Sequence, residues 1–159
     1  MHHILGLDPG NEESAFVVVT GGGELVLSHR QDANETILGV LKEWPPDLVS
    51  MSWHLAIEMV ASYGMPVGRE VFETCVWIGR FVQAWEGLGK TWSLVYRKDT
   101  KMRLCGQTKA KDGNIRQALI DKFGGANAIG TKAKPGPLYG ISKDKWAALA
   151  VAVTYAETK

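Results

Sequence analysis

The apolar residues of this chain fall into short blocks separated by glycine, proline and polar clusters, and the spacing inside each block tells strands from helices. Residues 3–9 form a short buried strand in which Ile4, Leu5, Gly6 and Leu7 lead to Asp8 and Pro9. Asn11 to Ser14 make a turn, and Ala15 to Thr20, with three consecutive valines, is a second strand. Gly21, Gly22 and Gly23 turn the chain into a third strand, Glu24 to Ser28. The chain therefore opens as a meander with tight connections.

The spacing then becomes helical. Asn34 is placed to cap a helix that runs to Lys42 with Ile37, Leu38 and Leu41 on one face, and Pro45 and Pro46 stop it. A fourth strand ends at Glu58, and the apolar stretch from Leu48 to Trp53 leaves its start open. After a loop of small residues, Gly64 to Gly68, a long helix spans Val67 to Glu86 and ends at Gly87 and Gly89. One stripe of it holds Val71, Cys75, Ile78, Val82 and Trp85, a second Phe72, Val76 and Gly79, and Trp77 and Phe81 add apolar area. One stripe covers the sheet, and the excess predicts a second covered face.

Thr91 to Tyr96 reads as a fifth strand, Asp99 and Thr100 as caps of a short helical segment to Leu104, and Ile115 to Phe123 as an amphipathic helix. Residues 124–141, with five glycines and two prolines, read as a long mobile connection, and a last helix covers Lys143 to Ala156. A meander followed by strand–helix–strand units predicts a three-layer α/β domain, a mixed five-stranded sheet with helices on both faces.

At 159 residues the chain makes one domain, 1–159, large enough to bury a core without disulfides or structural zinc. Cys75 and Cys105 fall in apolar stretches and read as reduced packing residues of a cytoplasmic protein. Four scattered histidines and no CxxC pair argue against zinc, and no apolar run approaches the ~18 residues of a membrane span. Met1, His2 and His3 run straight into the first strand, so no signal peptide is expected.

The net charge of +1 conceals a separation. Residues 1–89 hold four Lys/Arg and twelve Asp/Glu, whereas residues 90–145 hold thirteen Lys/Arg and four Asp/Glu. The basic half points to an anionic partner, nucleic acid first, with an unevenly charged solvated surface as the plainer reading. Its densest tract contains Arg97, Lys98, Lys101 and Arg103, followed by Lys109 and Lys111 in the basic loop 107–112. Lysines there would touch phosphate as flexible point charges without reading bases.

Three acids stand out against this background. Asp8 and Glu58 each end an apolar strand, and Asp144 opens the last helix. Burying a carboxylate is unfavourable unless it is paired or holds a metal, so three from distant parts of a small chain suggest a shared cation site. Each also has a plainer role: Asp8 as a turn former before Pro-Gly, Glu58 as a strand-end acid facing water, Asp144 as an acid favoured by a helix N-terminus.

The element order with acids at these positions resembles the ribonuclease H-like superfamily and, within it, the RuvC Holliday junction resolvases. ILGLDPG looks like the RuvC first strand with its Asp-Pro-Gly, LAIEMV like the fourth strand with Ala-Ile-Glu, and DKWAALAVAVTY like the last helix. Lys101, Gly106, Lys109 and Ile115 fall where RuvC proteins carry a basic, Gly-broken loop before a helix. The resemblance covers nearly the whole chain in order. It implies a Mg2+-dependent (or Mn2+-dependent) structure-selective endodeoxyribonuclease that works as a homodimer on four-way or other branched DNA. In that scheme Asp8 bridges two ions, and Glu58 and Asp144 each complete one side.

Two departures qualify the resemblance. The RuvC last helix usually bears two aspartates three residues apart, but here Asp144 is followed by Ala147. Residues 124–141 and the stretch before Glu58 also look longer than their RuvC counterparts, which suggests a phage-encoded or otherwise diverged relative acting in its host's cytoplasm. The alternatives are a RuvC-like nuclease for other branched or single-stranded DNA or for RNA, and a junction-binding protein that does not cleave.

Overall fold

The structure is a computed structural model that describes residues 2–45 and 52–159. Five strands, β1 (His2–Asp8), β2 (Glu13–Thr20), β3 (Val26–Ala33), β4 (Ser52–Met59) and β5 (Thr91–Tyr96), form one sheet in the order β3-β2-β1-β4-β5. The β1–β2 and β2–β3 pairs are antiparallel, and β1–β4 and β4–β5 are parallel. The helices are α1 (Asn34–Lys42), α2 (Arg69–Glu86), α3 (Arg97–Cys105), α4 (Asp112–Lys122) and α5 (Lys145–Thr158), with a 3-10 turn at Gly125–Asn127. This is the mixed five-stranded, three-layer α/β arrangement that the hydrophobic pattern predicts.

Alternation along the central strands divides the core in two. Ile4, Ala15, Val17, Val19 and Ala56 point towards α5, with α3 and α4 behind it. Leu5, Leu7, Phe16, Val18, Leu55 and Ile57 point the other way and pack on α1 and α2. Every residue of α5 from Ala148 to Thr154 is buried, which is why its Ala/Val/Leu pattern has no polar stripe. The helix lies so close to β1 that a Cβ on Gly6 would abut the Ala148 carbonyl oxygen and come within 2.6 Å of the Ala152 Cβ.

Several local expectations change in the folded chain. β3 runs to Ala33 rather than stopping at Ser28, because an edge strand can carry the polar run Ser28–Asp32, with Ser28 and Arg30 exposed and His29, Gln31 and Asp32 half-buried. Asn34 is the first residue of α1, and its buried side chain ties the turn after β1, accepting from the Ser14 hydroxyl and donating to the Gly10 carbonyl at 2.9 Å. Thr100 lies inside α3 rather than capping it, since the helix begins at Arg97 directly after β5. The long segment after α4 is packed: Ala128 and Leu138 are fully buried, and Gly130 bridges Pro135. Fully buried apolar anchors hold that loop down despite its five glycines. Part of the apolar stretch Leu48–Trp53 lies outside the described residues, and β4 starts at Ser52.

On α2 the buried stripe is Thr74, Ile78, Phe81 and Trp85. Trp77 and Phe81, read from the sequence as apolar area for a second covered face, belong instead to the sheet-facing core, Phe81 fully and Trp77 partly buried, whereas Phe72 and Val76 are more than 60% exposed.

The start of β4 carries a pH-sensitive contact. His54 is buried, stacks on Tyr155 of α5 at 4.1 Å, and bonds Thr91 Oγ1 and Ser93 Oγ at 2.8 and 2.9 Å. Burial, and then the positive charges of His2 and Lys159, push its pKa down to about 4. As pH falls below about 6.5 the unfolded chain takes up a proton that the folded chain refuses until about pH 4, so stability is lost across that window. His54→Gln is expected to remove a loss on the order of 1 kcal/mol, allowing for solvent screening, from urea titrations compared at pH 7 and 4.5. Equal slopes for parent and variant would refute this account.

Candidate active site

Because β1 and β4 are parallel neighbours with Leu7 opposite Ile57, their C-terminal ends finish together, and Asp8 and Glu58 stand side by side. Both point to the α5 side, in step with Ile4 and Gly6 on β1 and with Ala56 on β4. Asp8 lies two residues beyond Gly6, a strand rise of about 6.6 Å. Asp144 lies one helical turn before Ala148, about 6 Å along the axis. The Gly6–Ala148 contact thus brings the N-terminal end of α5, and with it the third acid, to the same sheet edge.

The electrostatics follow from this crowding. Burial, then the negative charges of Glu58 and Asp144, raise the Asp8 pKa to about 8. Burial also raises that of Glu58, although the Arg97 guanidinium 3.7 Å away opposes the shift. Asp8 and Glu58 are half-buried neighbours, and like charge nearby disfavours the ionisation of each, Asp8 taking the larger upward shift. Arg97, at the start of α3, also pairs with Asp112 at the start of α4.

Asp144 is exposed at the N-cap position of α5, but its carboxylate does not cap that helix. It accepts a hydrogen bond at Oδ2 from Gln31 Nε2 at 3.0 Å, and its backbone N–H donates to Gln31 Oε1 at 3.2 Å. An open cleft runs from Glu58 and Asp144 along α3, α4 and α5, lined also by Arg97, Asp112, Arg116 and Ala147.

Among the described residues, no group of three acid, histidine or cysteine side chains is gathered as it stands to hold a metal ion. The donors nevertheless fit a hard divalent cation: all are carboxylate oxygens, and the negative charges of Glu58 and Asp144 bear on Asp8. Asp8 and Glu58 could ligate such an ion directly, with Asp144 as the third donor.

The basic residues distribute unevenly. Arg97 is committed to Glu58 and Asp112. Lys101 lines a neighbouring open hollow with Tyr63, Lys98 and Thr108. Lys109 and Lys111 are exposed between α3 and α4, and Arg116 stacks over Trp146 at 4.8 Å beside the cleft. The sequence pattern does not pick out Gln31 or Asp112. Gln31 sits in a polar edge strand without periodicity, and Asp112 reads as an ordinary helix-start acid.

No family model matches the chain, and neither does any curated protein. Solved structures do. The RuvC structure from Thermus thermophilus superposes with a TM-score of 0.66 at 18% identity, over 97% of this chain and 93% of that one. The T. thermophilus RuvC in complex with a Holliday junction substrate gives 0.64 at 17% identity, over 97% and 92%. The chain has a RuvC-like fold.

Proposed function

We propose that this chain is a divalent-cation-dependent, structure-selective endodeoxyribonuclease that resolves four-way DNA junctions as a homodimer in the cytoplasm. The observation that carries the reading is the half-buried Asp8–Glu58 pair at adjacent parallel strand ends, with Asp144 close enough for its charge to act on Asp8. The likeness to a RuvC bound to a Holliday junction substrate supports the choice of DNA.

Asp8, Glu58 and Asp144 would hold the ions, Mg2+ or Mn2+. When bound, the ions supply an activated water and charge stabilisation for phosphodiester hydrolysis. The chain's own residues then do the rest. Lys101, Lys109 and Lys111 meet phosphates along the strand leading to the cleft and orient it without reading bases. Arg97 holds Glu58 and Asp112 in place and presents positive charge beside the reacting phosphate. The exposed Phe72 and Val76 on α2 offer the apolar face for the second copy.

Ala147, which lines the cleft where RuvC proteins usually hold a fourth acid, favours a second reading: a junction-binding protein that does not cleave. One assay separates the two. A supercoiled plasmid extruding a cruciform is expected to become linear with Mg2+ and to stay intact with EDTA, because paired nicks need two active sites in one complex. Binding without nicking would select the second reading, and faster cleavage of flap, single-stranded or RNA controls would move the substrate class.

A further inference from the structure

The third acid has a handler. Asp144 stands on the surface, it does not cap its own helix, and Lys143 just before it adopts a left-handed backbone (φ 49°). Nothing in α5 therefore fixes the direction of its carboxylate. Gln31 reaches across from edge strand β3, 113 positions away in sequence, and grips Asp144 at two points. The amide oxygen takes the Asp144 backbone N–H, and the amide nitrogen donates to Oδ2. The same nitrogen also donates to Glu13 Oε1 at 3.3 Å, so the amide is held from behind by the sheet. Among the described residues Asp144 Oδ1 makes no hydrogen bond.

One carboxylate oxygen is therefore held and the other is left for a ligand, as in second-layer hydrogen bonds that orient metal-binding carboxylates. A four-acid site can tolerate one mobile ligand, whereas this chain, with Ala147 in place of a second acid on α5, depends on the one it has.

We propose that Gln31 is a positioning residue that orients Asp144 as a ligand for a divalent cation. The inference rests on the metal-dependent nuclease reading above, and its test is chosen to fail separately. Mn2+ is titrated into the protein without DNA and followed by electron paramagnetic resonance. Gln31→Leu, of similar size but without the amide, is expected to bind Mn2+ roughly 10–100-fold more weakly than the parent, with an unchanged melting temperature. Its Mg2+ midpoint for junction cleavage should rise in proportion, and the rate at saturating Mg2+ should return towards the parent's, which a merely structural lesion would not allow. Gln31→Thr removes the clamp while suiting an edge strand and carries the same expectation should the leucine disturb folding. Parent-like Mn2+ binding in both variants would overturn the inference. So would tighter binding, which would mean that the amide holds Asp144 away from the ion. A parent protein that binds no Mn2+ at all would instead overturn the nuclease reading.

Discussion

Asp8→Asn is expected to abolish junction cleavage and, in the same protein, to raise the stability of the metal-free fold. The first effect follows from the loss of a negative charge that would help hold the cation in the proposed site, and cleavage should fall by orders of magnitude while junction binding persists. The second follows from the sign of the pKa shift. Asp8 is pushed up to about 8 by burial and by Glu58 and Asp144, so the folded chain holds a proton that the unfolded chain releases near pH 4. The stabilising effect of that proton is complete below about pH 4 and is lost as pH rises towards 8.

Asn needs no proton, so at pH 8 in EDTA the variant should be more stable by on the order of 2 kcal/mol, and the gap should close towards pH 4. Saturating Mg2+ should stabilise the parent and leave the variant nearly unmoved, because only a state that binds ligand gains from it. Calorimetry at pH 5, 6.5 and 8, with and without Mg2+, measures all of this. A variant that melts lower than the parent at pH 8, or that still cleaves, contradicts the assignment.

How much of this site the sequence reveals depends on the kind of interaction that makes it. Asp8 and Glu58 interrupt apolar blocks, and a charge at the end of a buried strand is visible without coordinates. That they stand side by side needs the parallel β1–β4 register, which strand patterns alone do not fix. Gln31 and Asp112 belong to polar segments where side chains are chosen by distant partners, so nothing nearby in sequence marks them. On α2, two apolar stripes are legible, but which of them faces the sheet is decided by the rotation of one helix. Phe81 went inward with Ile78 and Trp85, leaving Phe72 and Val76 outside. The long loop after α4 misleads in the other direction, since its glycines permit the tight turns that let Ala128 and Leu138 reach the core.

Gly6 is the position where the smallest substitution should do the most damage. Its backbone is ordinary strand, so the glycine is there for space. Beside it on the same face lie Ala56 of β4 and Ala148 and Ala152 of α5, and together these small residues let helix and sheet nearly touch. A Cβ at position 6 would meet the Ala148 carbonyl oxygen, the Ala152 Cβ at 2.6 Å and the Ala152 nitrogen at 2.8 Å. Two of those three atoms are backbone in the most buried helix of the protein, so no flexible side chain can swing aside and α5 itself must move.

Gly6→Ala should therefore destabilise the fold by about 3 kcal/mol. Gly39→Ala, on the exposed face of α1 with nothing within 4 Å, should instead stabilise by about 0.5–1 kcal/mol. The movement also carries Asp144 away from Asp8. At temperatures where Gly6→Ala is still folded, both Mn2+ affinity and cleavage should then drop by more than the unfolded fraction explains. Adding Ala152→Gly, which clears the nearest side-chain atom, should restore part of each. A Gly6→Ala protein that melts within a degree of the parent and cleaves normally would show that α5 is not seated on β1 by this contact, and that the third acid reaches the sheet edge by another route.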